Sequence, residues 1–416
     1  MRRRGWRRDG VGRTLLSAAV RFHPRCRHNS RRWLGMVRLG KWCKRGYVNY
    51  PEQFSAHALK CCSGFGLMRD IGEIKTLSLS PDGSLCVTGA VDHQSTDRNA
   101  LVWDVRSLSV VGELKGHRDG VYSSAWSPTG GIIATGGGGT DHLVRLWDVK
   151  SRRQIGEVGH DLFFVYALAF SPDGHFLLTG SANNAPVAPI HDGSCFRLWD
   201  VSRCKEVARL GVHASSVESV AFSADGRIAA CGNSGQLTLG GNTGERVFCP
   251  QTIRFWDIRP RFWSVRATEK FTDVAEHTAW VNSIRFTPDG KSFFTAGRGC
   301  FLWELPSCRV VRRFRPEAFD LANCGDVSSD GRYVATGSGG QDEAGAPYRD
   351  CAVRLWDVST EREIARWSHD YPVKTLAFSP TEALVVAGGH HGELRTWKLS
   401  ASDLPIKTAG FEAGLH

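Results

Sequence analysis

No stretch of this 416-residue chain approaches the ~18 consecutive apolar residues that a membrane-spanning helix requires, so no such span is expected. No Cys-x-x-Cys pair occurs among the 13 cysteines, which leaves no zinc or dithiol spacing to build on. Cys86, Cys195, Cys231, Cys300 and Cys351 fall inside or beside β-type runs, where a free thiol behaves as a small buried hydrophobe. Unpaired thiols and the lack of any Asn-x-Ser/Thr acceptor point to a reducing compartment, the cytoplasm in the first instance. Catalytic signatures are missing too: there is no GxxxxGK[ST], HExxH, GxSxG or protein-kinase pattern. Gly136–Gly139 lacks the lysine and helix of a phosphate cradle and reads as a loop, and His390-His391 have no further ligands nearby in sequence. No cofactor or metal is therefore expected, and no enzyme.

Most of the chain also lacks a charge of one sign. The formal +11 is confined to one end: residues 1–46 hold 15 Lys/Arg and a single acid, Asp9, whereas the rest carries 38 basic and 41 acidic residues. Net charge gives no support to a nucleic-acid role for the body; such contact could come only through residues 1–46. That segment shows no β alternation. Its Arg-rich composition suits an organellar transit peptide, a basic arm for phosphate contacts, or sequence upstream of the true start.

Repetition is what the chain does have. Trp103, Trp147, Trp199, Trp256, Trp303, Trp356 and Trp397 each end a β-type run, at successive spacings of 44, 52, 57, 47, 53 and 41 residues. Each follows its own turn signature, Ser80-Pro81-Asp82-Gly83 in the first copy and Ser379-Pro380-Thr381-Glu382 in the last. In such a turn Pro presets φ and Gly supplies the positive-φ position. The copy at 117–148 is clearest: an alternating run Val121–Trp126, a turn, the apolar run Ile132–Thr135, then Leu143–Asp148, with the outer run Gln154–Val158 following. The period predicts an all-β repeat array of four-stranded antiparallel units closed as one body.

On these residues the chain resembles the WD-repeat β-propeller family. The Trp-Asp pair is intact in five copies and becomes Trp303-Glu304 and Trp397-Lys398 in the other two. The resemblance covers roughly 72–399 and implies a single seven-bladed propeller over 63–411, behind an unstructured basic segment at 1–62. It implies a docking surface for other proteins or peptides; a ligand-binding or enzymatic propeller using the central channel, or a regulatory fragment of a larger signalling protein, are the alternatives. It further implies a buried chain in each blade, from His through a Ser/Thr and Asp to Trp. The matching positions are His117, His160, His213, His277 and His369, with Asp97, Asp141 and Asp350 six before a Trp and Asp192 one step off. Only the second copy holds all three. One copy per blade keeps these residues too far apart to act as a metal or catalytic cluster.

Insertions concentrate between the second and third strands, at 89–100, 181–194, 232–252 and 338–351, on the face that also carries the His loops. The family implies that this top face is lined by Lys75, Tyr122, Tyr166, Glu218, Asn282, Asn323 and Lys374, with Phe164, Trp280 and Pro372 two residues before some of them. Aromatics among a few charges suit an interface. Between Trp256 and His277, extra residues containing Arg259-Pro260-Arg261-Phe262-Trp263 are expected to form a bulge on the opposite face or outer edge. A propeller must also borrow a strand to close; Ser63–Met68 fits that register better than Leu404–Ala409, which carries Pro405.

Overall fold

The structure is a computed structural model; it describes residues 64–65, 72–91, 99–159, 164–182, 196–211, 216–233, 236–238, 246–248, 252–261, 264–273, 277, 280–314, 321–340, 348–389 and 392–399. All of them belong to the compact unit 59–416. The expectations placed on residues 1–46, Asp97, His160, Asp192, His213, Trp263, His390-His391 and Leu404–Ala409 lie outside the described residues.

The described residues form seven four-stranded antiparallel sheets and one two-stranded ladder. Blade one runs Glu73–Leu79, Leu85–Val91, Ala100–Asp104 and Ser109–Leu114. The inner strands of blades two to seven are Val121–Trp126, Val165–Phe170, Val217–Phe222, Val281–Phe286, Ala322–Val327 and Val373–Phe378. Burial follows position within a blade. Second strands such as Ile132–Gly137 are buried on both faces, and outer strands such as Gln154–Val158 begin exposed. That gradient explains why the second and third strands read as unbroken apolar runs without alternation.

The core is divided into seven clusters, one in each wedge between neighbouring sheets. Every repeat tryptophan packs toward the preceding blade: Trp147 against Val87, Ala100 and Leu114, for example, and Trp103 against Val386 and Leu394 of blade seven. Each buried indole contributes roughly 5 kcal/mol of transfer free energy, far more than any one hydrogen bond it makes. The wedges also interlock. A Cβ on Gly388 would lie 2.8 Å from Cγ2 of Ile74 across the seam between blades seven and one. The same glycine-to-branched-residue fit recurs at Gly89, Gly136, Gly180, Gly232 and Gly337.

Closure uses the earlier of the two candidate segments. Gly64–Phe65 pairs antiparallel with Leu394–Lys398, Gly64 opposite Thr396 and Phe65 opposite Arg395, as the fourth strand of blade seven. Other contacts bind the same seam: Thr381 Oγ1 donates to the Asp82 carbonyl at 3.0 Å and Arg106 pairs with Glu382 at 3.0 Å.

One expectation is corrected. The extra residues after Trp256 do not form a bulge; they lengthen the outer hairpin of blade four. Thr252–Arg261 and Ser264–Asp273 stay in register from Thr252↔Asp273 to Arg261↔Ser264. The β-branched Val265, Thr268 and Thr272 favour strand over loop, and Pro260 sits on a hairpin end where a missing donor costs little. In the 232–252 insertion the chain forms a small ladder of Gln236–Thr238 with Arg246–Phe248.

Candidate functional site

Five of the seven blades are pinned by a threonine on the second strand. Trp103, Trp147, Trp199, Trp303 and Trp356 donate from Nε1 to Thr88, Thr135, Thr179, Thr295 and Thr336 at 2.7–3.0 Å. In blades two and five a histidine shares that hydroxyl: His117 Nε2 lies 2.6 Å from Thr135 and His277 Nε2 2.8 Å from Thr295. In blade two Asp141 lies beyond the histidine, bonded to His117 Nδ1 and to Arg145. The order is therefore Trp–Thr–His–Asp, and the carboxylate does not stand between Ser/Thr and Trp as anticipated. An acceptor-only carboxylate satisfies the far ring nitrogen of the histidine, whereas the hydroxyl can both accept from the indole and bond the near one.

The arginine two residues before Trp was missed in the sequence. Arg145, Arg197, Arg354 and Arg395 are all buried. In blade six Arg354 does the work expected of histidine, bonding Ser338 Oγ at 2.6 Å and the carboxylate of Asp350, which also accepts from Arg366 at 2.6 Å. Blade seven has Ala387 at the threonine position. There Trp397 packs on Trp367 and His369 with ring centroids 5.5 and 5.2 Å away, and burial, followed by the Arg395 charge, pulls the His369 imidazole down to about 4. A repeated Val/Phe/Leu-Arg-x-Trp motif was the available signal for these arginines, hidden because an arginine reads as a surface residue.

The seven inner strands surround a central channel holding a cavity of about 460 Å³. All seven residues of the anticipated ring, Lys75, Tyr122, Tyr166, Glu218, Asn282, Asn323 and Lys374, line it, together with Trp280. They divide by what already occupies them. Asn282 Nδ2 donates to the Ala322 carbonyl at 2.9 Å, and Asn323 Nδ2 to Gly339 and Val373 carbonyls at 2.8 and 3.0 Å, so both amides tie a blade to its neighbour. Lys75 and Lys374 converge on one carboxylate, Glu73, at 3.1 and 3.2 Å across the seam. Glu73 is a second residue missed in the sequence; it holds the place in blade one that Phe164, Trp280 and Pro372 hold in theirs.

Tyr122, Phe164 and Tyr166 form one aromatic cluster on blades two and three. Tyr122 meets Phe164 and Tyr166 edge-on at 5.1 and 5.8 Å, and Phe164 stacks on Tyr166 at 5.8 Å. The glycine run at 136–139 makes room for it: a Cβ on Gly138 would sit 2.3 Å from the Tyr122 ring and 2.6 Å from Phe164. On blade five, Trp280 stands 41% exposed. Glu218 faces the channel with no hydrogen bond or ion pair among the described residues. Burial pushes its carboxyl up to about 7, with Lys75 pulling part of the way back. Burial, and then the nearby Glu218, lifts the Tyr166 phenol to about 12.

The comparisons with known proteins agree with the architecture. The model of the WD domain, G-beta repeat, matches residues 69–104, 108–148, 152–200, 204–239, 269–303 and 362–398, more than half of the chain. The chain belongs to the WD-repeat family. The first three strands of its sixth blade, with Ser328-Ser329-Asp330-Gly331 at the turn, fall between the matched segments 269–303 and 362–398, and Glu363–Ser368 completes that sheet. Among relatives, the chain is 23% identical to a guanine nucleotide-binding protein subunit beta of Zea mays over 84% of this chain and 86% of that one. It is 25% identical to the nuclear distribution protein PAC1 of Arthroderma otae over 51% of this chain and 46% of that protein. It is 27% identical to eukaryotic translation initiation factor 3 subunit I of Anopheles gambiae over 32% and 43% respectively. The chain thus spans less than half the length of the last two relatives. No helix among the described residues is long and apolar enough to cross a membrane.

Proposed function

We propose that this protein is a non-catalytic interaction scaffold that docks partner proteins or peptides at the mouth of its central channel, through Tyr122, Phe164, Tyr166, Glu218 and Trp280. The observation that carries this reading is the exposed Trp280 facing the channel opposite an ordered aromatic cluster, on a scaffold whose blades are locked by buried bonds. Large aromatics around a depression supply contact area at little cost in side-chain entropy, the composition of binding hot spots. Membership of the WD-repeat family, whose members are typically protein-interaction scaffolds, supports the same reading.

The test is affinity purification of the full chain with mass spectrometry, repeated with Tyr122→Ala and Trp280→Ala combined. The double variant loses the principal co-purifying protein while its thermal midpoint stays near that of the wild type. Retention of that protein by the folded variant would discard the patch.

A further inference from the structure

Among the described residues that line the channel mouth, one carboxylate is left without a donor. Of its ionic side chains, Lys75 and Lys374 are bound to Glu73, and Arg285 is bound to Asp326 at 3.2 Å. Glu218 has no such partner among the described residues. Lys75 acts on it through space, but its ammonium is held at 3.1 Å by another carboxylate. Position in the ring matters here. Blade four, which carries Glu218, stands opposite the seam between blades seven and one, where the two lysines share Glu73. The mouth is therefore positive on one side and negative on the other. Between them, on blades two and three, lie the faces and edges of Tyr122 and Tyr166.

Resting on the docking reading above, we infer that the docked segment delivers a basic side chain, an arginine or lysine, into the channel to pair with Glu218 beside the Tyr122 and Tyr166 rings. Charge complementarity selects this occupant. A half-buried carboxylate without donors is costly, and a guanidinium offers paired N–H groups to it while its flat face lies against an aromatic ring. An acidic side chain would meet repulsion from Glu218, and an apolar one would leave the carboxylate dry and unpaired. Lys75 from blade one acts on Glu218, and Glu218 acts in turn on Tyr166 from blade three. Tyr166 keeps its proton through the neutral range, so a pH response near 7 belongs to Glu218 itself.

The experiment selects a phage-displayed random dodecapeptide library on the full chain and measures synthetic, fluorescein-labelled copies of the enriched peptides by fluorescence anisotropy. The chains compared are the wild type, Glu218→Gln and the Tyr122→Ala, Trp280→Ala double variant. The expected result is a shared Arg or Lys whose replacement by citrulline or norleucine weakens binding about tenfold. Glu218→Gln weakens it by a similar factor, and the two losses do not add. Affinity for the wild type falls as the pH drops from 8 to 6, because Glu218 must be ionised to pair; with Glu218→Gln it stays level. Peptides that are lost in the double variant, yet share no basic residue or ignore Glu218→Gln, overturn the inference while docking stands. Peptides indifferent to the double variant, or no enrichment at all, overturn the docking reading and this inference with it.

Discussion

Thr135 serves two partners at once, accepting from Trp147 and donating to His117, and that makes it, like Thr295, more sensitive than a threonine that serves the indole alone. It bonds both Trp147 and His117, whereas Thr88 is bonded by Trp103. Thr135→Val keeps the shape but leaves an indole N–H and an imidazole nitrogen unsatisfied in a buried site, at about 2–4 kcal/mol; Thr88→Val costs about 1–2 kcal/mol. Urea unfolding of the two variants checks the order. His369 gives a pH signature. Its folded-state pKa of about 4 lies below the ordinary imidazole value of 6.5, so its contribution is whole above pH 6.5 and is lost as the pH falls toward 4, by up to about 3 kcal/mol. Thermal midpoints of wild type and His369→Phe, compared from pH 7 to 4, are expected to converge as the pH falls. At this scale the sequence was legible wherever a residue type is unusual for its position. Seven tryptophans at a regular period announce burial, and the positions of Tyr122 and Trp280 in the repeat announce the channel mouth that they line. Arg354 and Glu73 were not legible, because a charged residue names its partner only once the neighbouring strand or blade is in place.

Strands and turns were the most legible part of the chain. The Ser-x-Asp-Gly signature is a local hydrogen-bond device: Ser80 Oγ donates to Asp82, whose carboxyl is held below its usual range by that bond and by the Ser84 N–H and hydroxyl. Such turns depend on residues within a few positions of each other, so spacing alone reveals them. The hairpin at 252–273 was misread for the opposite reason: Arg259-Pro260-Arg261 looks like a loop until its partner Ser264–Arg266 is seen in register. The strand Gly64–Phe65 yields a prediction. Removing residues 1–62 leaves the thermal midpoint unchanged, whereas removing 1–71 exposes the edge of Leu394–Lys398, lowers the midpoint and promotes association. Differential scanning fluorimetry with size-exclusion chromatography reads both effects.

For the whole molecule, stability lies in the junctions more than in any single sheet, since each apolar cluster is built from two blades. Polar links reinforce the junctions from within the channel. Asp326 of blade six bonds Arg285 of blade five at 3.2 Å and the Phe378 N–H of blade seven at 2.9 Å. Asp326→Ala therefore loosens three blades together and lowers stability by about 2–4 kcal/mol, read as a shifted urea midpoint in one cooperative transition. The closing sheet sets an order of events as well. Blade seven takes its first three strands from Val373–Lys398 and its fourth from Gly64–Phe65, more than 300 residues earlier. On a translating ribosome that early segment must wait, unmated, through the manufacture of six complete sheets. Until the last one emerges the nascent ring stays open, so the channel mouth is completed only once Leu394–Lys398 has been made.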